Sequence, residues 1–225
     1  MGNNKEVLSR GGMQFFSKMS ASATHEIKNT LAIINESAGL LEDLSMMGEK
    51  GKPLSPERVN DISQRVIRQV QRANFVLKKM NQFSHSVDRK TQIADLEETV
   101  CFVLDLASRL IEMQGVVIKV TSPLSRIMVE TNLFYLENMI WKAIETACFA
   151  AKEKKQVVIS FGTDVAVPSI WFSMDLVKDN LMDDLFGSKE DCALIAHLNI
   201  SIKKNKANYS FGLLWPKRFN PITPN

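Results

Sequence analysis

The sequence is poor in cysteine, and its few cysteines follow no metal-binding or disulfide spacing. Cys101, Cys148 and Cys192 stand singly in apolar runs, and no Cys-x-x-Cys pair occurs. Isolated cysteines behave as small apolar residues, whereas disulfide frameworks and zinc sites need paired spacings. The pattern predicts reduced core residues of a cytoplasmic protein that has no metal site of its own.

Long apolar runs and excess charge are also absent. Neither a stretch of 18 apolar residues nor a secretory signal occurs, so no membrane segment is expected. The net charge is only +3, and no basic stripe alternates with aromatic residues, so nucleic acid is not an expected partner. The 225 residues, 45% of them hydrophobic, suffice for one large domain or two modest ones.

The first 90 residues carry the pattern of two long helices. A polar leader over residues 1–12 precedes a predicted helix from about Met13 to Met47, and residues 48–53 form a loop by composition. A capping serine, Ser55, and a proline at the first helical position, Pro56, then begin the second helix. The residues of both seams recur at spacings of four and three. They are Ile27, Leu31, Ile34, Ala38, Leu41 and Ser45 in the first helix and Val59, Ile62, Val66, Val70, Ala73, Leu77 and Met80 in the second.

Two long helices joined by a short loop form an antiparallel hairpin. One hairpin cannot cover two full apolar seams, so we expect two chains to pair as a homodimer through a four-helix bundle. The competing arrangement packs both seams against the rest of the same chain. Residues 1–90 are therefore predicted to be the hairpin domain.

From about Thr91 the pattern becomes mixed α/β, which predicts a second domain over residues 91–225. Helices are expected over Ile93–Met113, Asn132–Ala151 and Asp191–Leu198. Six strands are expected over residues 116–120, 127–129, 157–161, 169–175, 200–204 and 209–215. The predicted fold class is thus α+β, a helical hairpin followed by an α/β sandwich.

One histidine stands near the start of the first helix, in the stretch Thr24-His-Glu-Ile-Lys-Asn29. His25 is two residues before Ile27, so it points about 200° away from the apolar seam, into solvent. A solvated imidazole is substantially neutral at cellular pH, and a neutral imidazole is a nucleophile that can attack phosphorus. The alternative is a surface histidine without function.

The stretch His25–Asn29 resembles the phosphoacceptor box of bacterial two-component histidine kinases, which usually reads His-Glu-aliphatic-basic-Asn/Thr-Pro-Leu. The order of elements after residue 91 resembles the ATP-binding domain of the same kinases. The box departs from the family at Thr30, where proline is usual. Because proline would bend the helix after the histidine, its absence predicts a helix that continues straight.

The second domain departs from the family where nucleotide would bind. When residues 136–147 are laid on the family's asparagine box, Lys142 and Thr146 replace the two asparagines, and neither offers the amide oxygen that holds Mg²⁺. The Asp-x-Gly-x-Gly box would fall on residues 175–179, where both glycines are replaced. The segment left for an ATP lid, roughly residues 177–190, is short and acidic. ATP is therefore not an expected cofactor.

This combination resembles ChpT-type and sporulation-phosphorelay histidine phosphotransferases, which pair a helical hairpin with a degenerate kinase-like domain. The resemblance implies that response-regulator receiver domains are the partners. An aspartyl phosphate on one regulator would pass to His25 and then to an aspartate of a second, with Mg²⁺ supplied by the regulator.

The resemblance also implies roles for particular residues. His25 would be the acceptor, Glu26 would orient or deprotonate the imidazole, and Asn29 would hydrogen-bond the phosphoryl oxygens or a water. For Glu26 the alternative is a solvated acid. The residues implied in regulator docking are Lys28, Ile33, Glu36, Ser37 and Leu40. Bundle core is the alternative for Ile33 and Leu40, and a plain surface lysine is the alternative for Lys28.

Two other functions stay open at this point. The first is an ATP-dependent sensor histidine kinase with a divergent nucleotide site. The second is a pseudokinase interaction module that carries no phosphate chemistry. Loss of activity on replacing His25 would separate the phosphate-transferring functions from the last.

Overall fold

The computed structural model describes residues 2–53, 55–151, 155–164, 167–174 and 185–216. It consists of two long N-terminal helices followed by a mixed α/β domain, which confirms the predicted α+β class. No helix among the described residues is both long and apolar enough to cross a membrane.

The two long helices are α1 (Gly2–Glu49) and α2 (Pro56–His85). The start of α2 is as predicted, since the amide of Arg58 donates to the Ser55 hydroxyl at 3.3 Å and Pro56 is the first helical residue. The prediction of a non-helical leader over residues 1–12 is wrong, because α1 already begins at Gly2. Gly12 lies within this helix, and close packing requires a glycine there, since an added Cβ would lie 3.0 Å from the ring of Phe134. Close packing thus overrides the low helix propensity of glycine.

The chain divides into two compact units. One comprises Met19–Gln82, which contains most of the hairpin. The other comprises Met1–Lys18 together with Phe83–Asn225. The boundary at residue 90 expected from the sequence stays a prediction, and packing groups residues 1–18 and 83–90 with the α/β part.

Aromatic contacts explain why the first turns of α1 belong with the α/β part. The ring of Phe15 lies 5.2 Å from that of Phe83 and 5.7 Å from that of Phe134. Lys18 forms an ion pair with Glu145, and its ammonium lies 5.2 Å from the ring centre of Trp141. These contacts bury apolar rings that a solvated leader would have left exposed.

The α/β part contains seven strands and four helices among the described residues. In chain order they are β1 (Gln92–Asp95), α3 (Leu96–Leu106), α4 (Ser108–Glu112), β2 (Val117–Thr121), β3 (Met128–Thr131), α5 (Leu133–Ala150), β4 (Gln156–Asp164), β5 (Val167–Met174), α6 (Lys189–Leu198), β6 (Ser201–Asn205) and β7 (Ser210–Leu214). All six predicted strands are present within three residues of their expected bounds.

The single helix predicted over Ile93–Met113 is wrong. Its first residues form β1, which pairs antiparallel with β3. The side chain of Asp95 then accepts from the amides of Glu97 and Glu98 and so caps α3. A break at Ala107 separates α3 from α4. Gly115, with φ of 65°, follows α4.

A five-stranded sheet in the order β2-β4-β5-β7-β6 forms one layer of the domain. Strands β2 and β4 are parallel, and the other neighbours are antiparallel. Helix α5 packs on β4 and β5, and α3 and α6 pack against α5. The core is formed by fully buried side chains of α5 and the sheet, including Leu136, Ile140, Ile144, Ile159, Ile170, Phe172 and Phe211. The sheet thus supports α5, the helix that carries Lys142 and Thr146.

Candidate functional site

His25 is exposed on α1, as the spacing predicts. Lys28 and Asn29 follow it by three and four residues and are also exposed. Residues at these separations lie on one face of a helix. The structure therefore places the three polar side chains together on an open surface, where a partner can reach the imidazole.

Glu26 does not share that surface. Its carboxylate accepts from the Nε of Arg72 on α2 at 2.5 Å, and its side chain is only 10% exposed. The alternative of a solvated acid is therefore wrong. The ion pair turns the carboxylate toward the second helix of the hairpin, and its role toward the imidazole stays a prediction. Sequence reasoning missed Arg72, because a contact 46 residues away depends on the register between the two helices.

The helix continues through Thr30, as predicted from the missing proline. Thr30 is buried, and its hydroxyl donates to the carbonyl of Glu26 at 2.9 Å. This bond satisfies the hydroxyl inside the hairpin without a partner on α2. The backbone around His25 is consequently regular helix on both sides.

The proposed docking residues fall into different environments. Glu36 is exposed and pairs with Arg65 of α2 at 2.8 Å. Ile33 and Leu40 are half-buried, so both roles weighed for them remain open. Ser37 is fully buried, and its hydroxyl donates to the carbonyl of Ile33 at 2.7 Å. The structure therefore corrects the expectation that Ser37 contacts a partner, because the inner face of the hairpin already takes its side chain.

The apolar seam predicted for α1 is displaced by one residue from the face that packs in the hairpin. The buried positions in this stretch are Glu26, Thr30, Ser37 and Leu44, whereas Leu31, one residue further on, is 53% exposed. On α2, Val59, Ile67, Val70, Phe75 and Leu77 are exposed too. The hairpin thus buries a largely polar face of α1 and leaves apolar side chains of both helices in solvent.

An ion pair involves Lys142, one of the two residues that the sequence comparison lays on the asparagine box of histidine kinases. The ammonium of Lys142 on α5 donates to the carboxylate of Asp191 on α6 at 2.7 Å, and both side chains are largely covered. Asp191 also accepts from the amide and hydroxyl of Ser188, completing a capping box at the start of α6. Lys142 and Asp191 therefore satisfy each other's charge.

A cleft of about 720 Å³ is lined in part by Thr146, the other residue laid on the asparagine box. It is lined by Gln114, Glu145, Thr146, Cys148, Phe149, Leu185 and Phe186. Burial, reinforced by the charge of Glu145, raises the pKa of the Cys148 thiol to about 11, which disfavours the thiolate. Residues 175–179, on which the Asp-x-Gly-x-Gly box would fall, lie outside the described residues, as does the lid segment up to residue 184.

Glu137 is a buried acid that the sequence analysis did not single out. Its side chain on α5 is 1% exposed, and burial raises the pKa of this carboxyl to about 8, against a smaller opposing effect of a hydrogen bond with Ser86. The Ser86 hydroxyl itself donates to the carbonyl of Phe83 at 2.8 Å. A protonated Glu137 is the form that suits this setting, since it buries no charge and Oε2 has no hydrogen-bond partner among the described residues.

Over the described ranges, no group of three or more histidine, cysteine, aspartate or glutamate side chains is arranged to hold a metal ion. The two remaining histidines sit in structural settings. His85, the last residue of α2, lies 2.9 Å from Asp88, and the ring of His197 packs edge-on to Tyr135.

No protein-family model matches the chain, and no curated protein matches it. Among solved structures, it is similar to the nucleotide-free catalytic domain of the histidine kinase ThkA, with 13% identity and a TM-score of 0.44 over 57% of this chain and 98% of that one. It is also similar to the Acinetobacter baumannii histidine kinase AdeS, with 15% identity and a TM-score of 0.45 over 87% of this chain and 98% of that one. A complex of ThkA with the response regulator TrrA gives 16% identity and a TM-score of 0.44, over all of this chain and 69% of that one. At these scores the likenesses carry no argument about activity; the chain is similar to histidine kinases.

Proposed function

We propose that this chain is a histidine phosphotransferase of a two-component phosphorelay. His25 accepts a phosphoryl group from the aspartyl phosphate of one response-regulator receiver domain and passes it to the aspartate of another. The observation that carries the proposal is the ion pair of Lys142 with Asp191. It supports the proposal because Lys142, which the sequence comparison lays on the asparagine box, is paired with Asp191, while His25 on the hairpin stays open to a partner.

In this transfer the chain supplies the nucleophile, and the regulator supplies the phosphoryl group and the metal ion. A lone pair of the neutral His25 imidazole attacks the phosphorus, and a P–N bond forms as the P–O bond to the regulator's aspartate breaks. The aspartate leaves with the electron pair, and the proton on the other ring nitrogen stays in place. The Mg²⁺ that phosphoryl transfer needs is supplied by the acidic pocket of the regulator.

Pairing of two hairpins belongs to the same proposal. Leu31, Val70 and Leu77 are apolar and exposed on the hairpin, and a second copy of the chain would cover them. Sedimentation equilibrium is expected to give a dimer for the full chain and a monomer for Leu31→Asp. A monomeric wild-type chain would contradict the pairing.

The transfer itself is tested with labelled receiver domains. A panel of purified receiver domains carrying labelled aspartyl phosphate is mixed with the full chain and Mg²⁺. Label is expected on the wild-type chain and on His85→Gln, and none on His25→Gln. Each variant lacks one exposed histidine and keeps the other two, so label on His25→Gln would overturn the assignment of the acceptor.

An ATP-dependent histidine kinase is the second candidate, and the cleft beside Thr146 favours it. A volume of about 720 Å³ lies within the range of small-molecule sites. The same assay with labelled ATP and no receiver domain separates the two functions. Label on His25 from ATP alone would establish the kinase. The absence of label from both donors would leave the interaction module.

A further inference from the structure

The ion pair between Glu26 and Arg72 joins the two helices of the hairpin next to the acceptor histidine. Glu26 directly follows His25, so the two residues differ by about 1.5 Å of rise and 100° of rotation along α1. The carboxylate is almost covered, with 10% of the side chain exposed, whereas the arginine side chain is 55% exposed. The guanidinium is therefore anchored at one edge and open to solvent elsewhere.

The described bond uses only the Nε of Arg72. A guanidinium carries five N–H donors in a rigid fork, and that fork matches the oxygens of a phosphoryl group. Because Glu26 already fixes the side chain, less conformational freedom is lost when the remaining donors bind an anion.

A phosphoryl group on His25 would add up to two negative charges beside the buried carboxylate of Glu26. Repulsion between these charges opposes the phosphorylated state unless a cation lies between them. Lys28 is also near, one turn further along α1, but it is exposed, and the structure gives it no anchoring contact. Arg72, by contrast, is held by its ion pair with the residue next to His25.

From this geometry we infer that Arg72 binds the phosphoryl group at His25, and that Glu26 acts as the anchor of that arginine. The inference rests on the proposed function, because it names a residue for the same transfer. Arg72 donates through its terminal nitrogens to the phosphoryl oxygens during transfer and in the phosphorylated protein, while its Nε remains on Glu26. Glu26 is then a positioning residue, not the base that deprotonates the imidazole.

The transfer assay measures the first consequence. Arg72→Gln is expected to slow label transfer from a phosphorylated receiver domain roughly 10- to 100-fold, the size associated with losing a charge-assisted hydrogen bond. Arg72→Lys is expected to restore part of the rate. Lys78→Gln removes one positive charge from an exposed position of the same helix and is expected to leave the rate unchanged. Glu26→Gln keeps the guanidinium and is expected to slow transfer less than Arg72→Gln.

A second readout does not depend on any receiver domain. The full chain is phosphorylated at His25 with phosphoramidate, and the phosphoryl group is titrated by ³¹P NMR. Replacing Arg72 with Gln is expected to move the titration midpoint to higher pH, because a neighbouring cation favours the dianion. Glutamine at position 78 should not move it.

The outcomes separate this inference from the function on which it rests. If no receiver domain labels the wild-type chain but the ³¹P midpoint still depends on Arg72, the phosphotransferase fails while arginine binding to the phosphoryl group stands. An Arg72→Gln protein with wild-type transfer rate and an unchanged midpoint would overturn the inference. Equal slowing by Glu26→Gln and Arg72→Gln, with no change in midpoint, would also overturn it, since the pair would then act only in folding of the hairpin.

Discussion

The hairpin and the α/β domain treat their chemically capable side chains in opposite ways. On the hairpin, His25, Lys28 and Asn29 lie open on one helix face. In the α/β domain, Lys142 and Asp191 are paired with each other and largely covered. Exposure leaves a group free to react with a partner, whereas a pair in which both side chains are largely covered is closed to one. Under the proposed function, the reactive group lies in the hairpin and the α/β domain serves as scaffold.

The largest expected difference between the two regions is the stability cost of removing an apolar side chain. Ile144→Ala, a fully buried position of α5, is expected to cost about 2–5 kcal/mol of unfolding free energy because it leaves a cavity. Leu31→Ala on the exposed face of the hairpin is expected to cost less than about 0.5 kcal/mol at chain concentrations low enough to dissociate the proposed dimer. Thermal unfolding of both variants measures the difference, and equal costs would break the comparison.

Glu137 is expected to make the stability of the α/β domain depend on pH. Its carboxyl has a pKa of about 8 in the folded chain against an ordinary value of 4.5, so the folded state favours the protonated form. The stabilisation is complete below about pH 4.5 and is lost as the pH rises toward 8, by at most about 1.4 kcal/mol per pH unit. We expect Glu137→Gln to remove this slope and to be the more stable protein at pH 8. Parallel stability curves for the two proteins between pH 5 and 8 would contradict the assignment.

The pair of Lys142 with Asp191 is expected to matter for folding and not for transfer. Lys142→Met leaves Asp191 bound to Ser188, so the expected cost is about 1–2 kcal/mol of unfolding free energy. Labelling of His25 by a receiver domain should be unchanged. A stable Lys142→Met protein that had lost labelling would show that the α/β domain takes part in the chemistry.

The surface pair on the hairpin should have the smallest effect. Arg65 and Glu36 are both substantially exposed, and ion pairs of this kind contribute little to stability. Arg65→Gln is expected to change the unfolding free energy by less than about 0.5 kcal/mol in chemical denaturation. A cost as large as that of Lys142→Met would mean that hairpin and domain do not differ in how they use charge.

The parts of the fold that the sequence predicts are those specified by local chemistry. Asn132 caps α5 through the amide of Tyr135, and Ser55 caps α2, so both helices begin where expected. The start of α1 could not be predicted, because the close packing of Gly12 against Phe134 depends on residues far along the chain. The capping aspartate at residue 95 was visible in the sequence, but the strand before it depends on pairing with β3.

The candidate site divides in the same way. The exposure of His25 follows from its rotation relative to the apolar seam, which is local information. Arg72 and the buried state of Ser37 depend on how α2 lies against α1, and periodicity within one helix does not contain that register. The seam predicted for α1 lies one residue away from the face that is buried, because the single hairpin leaves the apolar side chains of the seam uncovered.

The most direct test of the account compares two phosphate donors on one preparation of the full chain with Mg²⁺. One half receives labelled ATP, the other receives a phosphorylated receiver domain, and label per chain at position 25 is counted. The account predicts label from the receiver domain and none from ATP. Label from ATP alone would contradict it, because the α/β domain would then hold the nucleotide that its paired charges are proposed to exclude.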